Sequence, residues 1–141
     1  SIYKRGGAKR VLFFGNSITR HEPNREIGWY GDWGMAASSI DKDYVHLIVA
    51  ELDKKYGKVD YCIAQGAMWE WEYRRSDEVL AEYYSAVKDF DANIVIIRIG
   101  ENITADAMVI TKMTAAPRLM EAFICLLHLE MLLLLACFCL K

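Results

Sequence analysis

With 141 residues, and with 17 Lys and Arg against 19 Asp and Glu, the chain has room for one domain and carries no basic excess to offer a polyanion. Nucleic acid is thereby excluded as its main partner. A hydrophobic share of 54% is enough for a real core, since a domain of this size buries roughly 70% of the surface its unfolded chain exposes.

The four cysteines, Cys62, Cys125, Cys137 and Cys139, form no C-x-x-C pair and lack metal-finger spacing. Cys62 lies in an apolar run and reads as a small packed hydrophobe. No metal or cofactor is expected. The N-terminal SIYKRGGAKR is basic, but the apolar run after it is too short for a signal-peptide core. The sequence therefore reads as having no leader, or one already removed.

In chain order, residues 10–14 (RVLFF) predict a short buried strand ended by Gly15-Asn16. Residues 20–34 are polar, glycine-rich and aromatic, and predict a long loop. From Asp41 to Tyr56 the spacing of Val45, Ile48, Val49, Leu52 and Tyr56 predicts a helix, with Gly57 placed as its C-terminal cap. VDYCIA at 59–64 predicts a second strand. Ser76, followed by two acids, opens another predicted helix that runs to about Phe90. NIVIIRI at 93–99 is the clearest strand, ended by Gly100-Glu101-Asn102.

Strands alternating with helices argue for an α/β fold with a parallel sheet. Ligands of such sheets bind beyond the carboxyl ends of the strands. That rule gathers three segments: Asn16-Ser17 after the first strand, Gly66 after the second, and Glu101-Asn102 after the third.

Beyond Asp106 the composition changes, with neither Gly nor Asn, and residues 122–140 are apolar except for His128 and Glu130. Three readings stand: a buried or partner-packing helix that could self-associate through 122–140, a membrane segment, and a non-native end from a frameshifted or truncated gene. A mid-span acid costs about 2.5–3.5 kcal/mol on insertion scales, which argues against the membrane.

Taken locally, Ser17 reads equally as a nucleophile or as the cap of a following helix, Gly66 as a turn, and Asn102 as a strand-end residue serving nearby backbone. In order and together, GNSIT at 15–19, the glycine of IAQGAMW and IRIGEN at 97–102 resemble the blocks of the SGNH (GDSL-like) hydrolases. The resemblance covers residues 10 to about 104. It implies a flavodoxin-like three-layer α/β sandwich over residues 1–106, with 107–141 as an atypical hydrophobic segment. It also implies an esterase-type serine hydrolase acting on a small-molecule or carbohydrate ester. In such an enzyme Ser17 is the nucleophile, and Ser17, Gly66 and Asn102 supply the oxyanion donors.

Family domains run longer, and their Asp-x-x-His base block has no counterpart after residue 106. His128 sits among leucines. Asp43-Tyr44-Val45-His46 has the spacing but lies at the first helix, and His21 is merely close to Ser17 in sequence. All three are poor candidates for the base. Trp29, Tyr30, Trp33, Trp69 and Trp71 flank the expected site. They read either as sugar-stacking platforms, favouring an acetylated carbohydrate, or as covers for the sheet. Two rival readings remain: a flavodoxin-like module holding phosphate at GNSIT through backbone N–H groups and a helix dipole, and an inactive fragment with a partner-seeking tail.

Overall fold

The computed structural model of the chain describes residues 1–72, 82, 84–102 and 133–135. Its centre is a five-stranded sheet of β1 (Ile2–Tyr3), β2 (Lys9–Gly15), β3 (Val59–Gln65), β4 (Ile94–Arg98) and β5 (Leu133–Leu135), in the order β1-β3-β2-β4-β5. β3, β2, β4 and β5 run parallel, and β1 adds to the edge of β3 in the opposite sense. The sheet is thus mixed, whereas the sequence predicts a parallel one. β1 is too short to carry a pattern of its own. Tertiary partners hold it: Tyr3 stacks on Tyr61 with ring centres 4.5 Å apart, and the Arg5 guanidinium reaches Asp53 and the Val59 carbonyl.

The run RVLFF is continuous in hydrophobicity because β2 is covered on both faces. Successive side chains of a strand point to opposite faces. Val11 and Phe13 accordingly pack with Val45, Val49, Val59, Tyr61 and Ile63 on one side. Leu12 and Phe14 pack with Cys62, Ala64, Trp69, Phe90, Val95 and Ile97 on the other. The first cluster is closed by α1 (Tyr44–Tyr56), whose Val45 and Val49 are buried. The second is closed by α2 (Ala67–Glu72) and by the segment carrying α3 (Ser85–Asp89). Helices on both faces of a largely parallel sheet make this an α/β protein.

α1 begins at Tyr44 rather than Asp41, because Asp43 caps it: its carboxylate accepts the His46 N–H at 2.8 Å. Residues 40–42 form a separate 3-10 turn. Gly57 ends the helix at φ 76° and ψ −177°, a region kept almost wholly for glycine. Tyr56, expected on the apolar side, is 42% exposed and lies beneath the Lys55 ammonium instead. α2 was not foreseen. Six residues are too few to show a helical period, and two tryptophans obscure it. The expected cap Ser76 lies outside the described residues, as does most of that helix; Ser85–Asp89 is helical, with Tyr84 and Val87 facing the core. Of the hydrophobic tail, only Leu133–Leu135 is described, and it pairs in parallel with β4, so these three residues are strand and not helix.

Candidate active site at the carboxyl ends of the strands

Gly15 is in register with Gln65 on one side and Arg98 on the other. The three predicted segments therefore leave the sheet level with one another. The Gly66 N–H donates to the Gly15 carbonyl at 2.6 Å, tying the first two together. Gly15 must be glycine: a Cβ there would lie 1.8 Å from Thr19 Oγ1 and 2.7 Å from the Arg98 carbonyl oxygen. Gly66 is similarly enclosed, by the Phe14 ring and Ile99. Its N–H already serves the Gly15 carbonyl, so a substrate oxygen would have to share it, as three-centre hydrogen bonds allow.

No helix follows Ser17, and the helix-cap reading of this serine is corrected. Residues 17–19 make one turn, held by Asn16: its Oδ1 accepts the Ile18 N–H at 3.1 Å, and its carbonyl accepts from Thr19 and Arg20. The next α-helix starts at Tyr44. Without a helix there, the rival phosphate site at GNSIT loses the dipole it was to use. Ser17 is half-buried, its carbonyl accepts the Met35 N–H, and no described residue hydrogen-bonds to its hydroxyl. Beneath the turn, the buried Thr19 hydroxyl meets Tyr44 Oη at 2.8 Å, and burial pushes that phenol up to about 12.

The third segment joins the first two through a residue that sequence reasoning missed. Glu70, on α2, is only 2% exposed. Its carboxylate accepts from the Gly100 and Asn102 N–H groups, the Asn102 side-chain amide and the Asn16 side-chain amide. The Asn16 Nδ2 also donates to Glu101 Oε2 at 2.5 Å, and Glu101 pairs with Arg98. So Ser17 and Gly66 are linked through the strand-end backbone, and Asn102 joins them through Glu70 and Asn16. The sequence does hold a signal for Glu70: a lone carboxylate in the run AMWEW must either face water or find donors.

The histidines are placed differently. His21 lines a cavity of about 410 Å³ with Gly15, Asn16, Arg20 and Gln65. Its Nδ1 lies 2.6 Å from the Glu22 carbonyl, which can only accept, so the neutral ring leaves Nε2 as the acceptor. The His46 Nδ1 lies 2.8 and 2.9 Å from the two oxygens of the buried Asp43 carboxylate. This is the hydrogen-bond pattern of a catalytic pair, but the ring packs edge-on against Tyr61. Tyr61 pairs with Val11, well down the sheet from Gly15. His128 lies outside the described residues.

The loop after Ser17 is more ordered than a long loop suggests. His21 bridges Trp33, Asn24 bridges Trp29, and Asn24 caps a 3-10 turn at residues 25–27. Trp29 and Trp33 meet edge to face, and each anchors its N–H on a backbone carbonyl. Tyr30 and Trp71 are well exposed, at 73% and 63%. Trp69 is buried in the core, where it covers the sheet and offers no platform.

Among the described residues, no group of His, Cys, Asp and Glu could hold a metal ion, and no helix is long and apolar enough to cross a membrane. Comparison with known protein families, curated proteins and solved structures found no match.

Proposed function

We propose that this chain is a serine hydrolase of the SGNH type, acting on an ester. One observation carries the reading: three post-strand segments bearing a serine, a glycine and an asparagine start level at the carboxyl ends of parallel strands and are hydrogen-bonded into one cluster. The parallel order β3-β2-β4-β5 supports it, being the order in which flavodoxin-like sheets begin.

In this reading Ser17 Oγ adds to the ester carbonyl carbon while its proton passes to a base. The carbonyl oxygen takes up the negative charge, and the Ser17 N–H, the Gly66 N–H and the Asn102 amide stabilise it, each donor being worth about 2.7–4 kcal/mol of barrier. Collapse expels the alcohol, which takes the proton, and water then releases the acid from the acyl-serine. Of the described histidines, His21 shares a cavity with the Asn16 end of the turn, whereas His46 is held on Asp43 against Tyr61. The exposed rings of Tyr30 and Trp71 and the anchored Trp29–Trp33 pair favour an acylated carbohydrate as the substrate, since sugar rings stack on such surfaces.

A fluorophosphonate probe tests the nucleophile. Mass spectrometry is expected to find the label on Ser17 of the intact chain and to lose it in Ser17→Ala. Folded protein that stays unlabelled counts against the hydrolase.

A further inference from the structure

The geometry points to Glu70 as the positioning residue of this site: its buried carboxylate fixes the Asn102 amide, and with it the 100–102 loop, beside the Asn16–Ser17 turn. The inference rests on the hydrolase reading and deepens it.

A glutamate is almost never fully buried unless it is paired, and unpaired burial of a carboxylate charge is costly. Glu70 is 2% exposed, and among the described residues no Lys, Arg or His forms an ion pair with it. Neutral amides from two other segments compensate its charge. Oε1 accepts the Gly100 N–H at 2.5 Å and the Asn102 N–H at 3.3 Å. Oε2 accepts the Asn102 Nδ2 at 2.6 Å and the Asn16 Nδ2 at 3.3 Å. A carboxylate has about four acceptor sites and no donor, so this set uses its capacity. N–H bonds to an ionised acceptor are also roughly twice as strong as neutral ones.

The consequence for Asn102 is directional. An asparagine amide has two N–H bonds in one plane. With one committed to Glu70, the plane is set, and the second N–H keeps a fixed direction; it has no partner among the described residues. The carboxylate also decides which way round the amide sits, because the Asn102 carbonyl oxygen cannot face it. A donor aimed in advance at the place where charge develops is what stabilises an oxyanion, since no reorganisation is then needed during reaction. Glutamine cannot replace Glu70. Its one carbonyl oxygen serves either the backbone N–H pair or the Asn102 amide, while its NH2 opposes the other donors.

Because Glu70 acts through Asn102, its effect should vanish when Asn102 is gone. The rate constant and affinity of Ser17 phosphonylation by a fluorophosphonate are measured on the intact chain in wild type, Glu70→Gln, Asn102→Ala and the double variant. Each single variant is expected to slow the covalent step about 10²-fold with unchanged affinity, and the double to be no slower than either. Wild-type labelling rates in Glu70→Gln, or a double variant slowed by the product of the two effects, would overturn the proposal.

The hold itself has a readout that needs no reactivity, which separates this inference from the hydrolase reading. In nitrogen-15 spectra the Asn102 side-chain amide, assigned by its loss in Asn102→Ala, should show one downfield, slowly exchanging proton that disappears in Glu70→Gln. An unchanged amide overturns the inference, while an unlabelled Ser17 with the amide change present overturns only the hydrolase. If Glu70→Gln does not fold, Glu70→Asp is used. It keeps the charge and withdraws it from Asn102 by one methylene, and the same outcomes decide.

Discussion

Replacing Gly15 with alanine is the sharpest test of how the strand ends are packed. The added carbon would sit 1.8 Å from Thr19 Oγ1, 2.8 Å from Thr19 Cβ and 2.7 Å from the Arg98 carbonyl oxygen, all far inside van der Waals contact. The Arg98 oxygen belongs to the neighbouring strand, in register with Gly15, and cannot retreat without opening the sheet. Overpacking of this kind costs about 1–3 kcal/mol. Thr19 can give way only by leaving Tyr44, stranding a half-buried phenol and a buried hydroxyl at about 1–3 kcal/mol more. The expected loss is about 2–6 kcal/mol, a large part of the 5–15 kcal/mol typical of a domain. Followed by tryptophan fluorescence, the urea midpoint should fall by about 1 M or more. Thr19→Ala alone should cost about 1–3 kcal/mol through the unpaired Tyr44. On the Gly15→Ala background it should cost less or even stabilise, because it removes the closest of the three clashes, that with Thr19 Oγ1; the expected coupling is about 1–3 kcal/mol. A Gly15→Ala variant with the wild-type midpoint, or strict additivity with Thr19→Ala, would refute this packing.

The Asp43–His46 pair should behave as a helix cap. Asp43→Ala is expected to destabilise by about 0.5–2 kcal/mol in urea melts, while His46→Ala leaves fluorophosphonate labelling of Ser17 unchanged; a labelling rate that collapses in His46→Ala would make it the base after all. Acid should loosen the N-terminal edge. Hydrogen bonding from Arg5 holds the Asp53 carboxyl below the usual aspartate value of 3.8, and the Gly7 and Arg5 N–H groups do the same for Asp60. A carboxyl lowered in the folded state adds stability above pH about 4, and that stability drains away as pH falls through the folded value. Stability measured between pH 5 and pH 2 should therefore fall less steeply in Asp53→Asn/Asp60→Asn than in wild type, and parallel curves would count against the assignment.

Much of this framework was legible in the sequence, because it depends on local patterns. Four apolar residues before a glycine gave β2, a β-branched run gave β4, and Val45, Val49 and Gly57 gave α1 with its end. The three post-strand segments could be grouped in advance, since ligands of parallel sheets bind beyond the carboxyl ends of the strands. Other features had no local signature. β1 pairs two residues whose preference is invisible without Tyr61 beside them. The turn at Ser17 is not a helix start, because Asn16 spends its side chain on Ile18, Glu70 and Glu101. A sequence shows that Glu70 is charged and sits between tryptophans, but not whether it meets water. That outcome was decided by four donors from two other segments, one of them more than fifty residues before it and the rest about thirty after. A buried charge is stable only where the fold assembles its partners, and partners that far apart along the chain meet only in the tertiary structure.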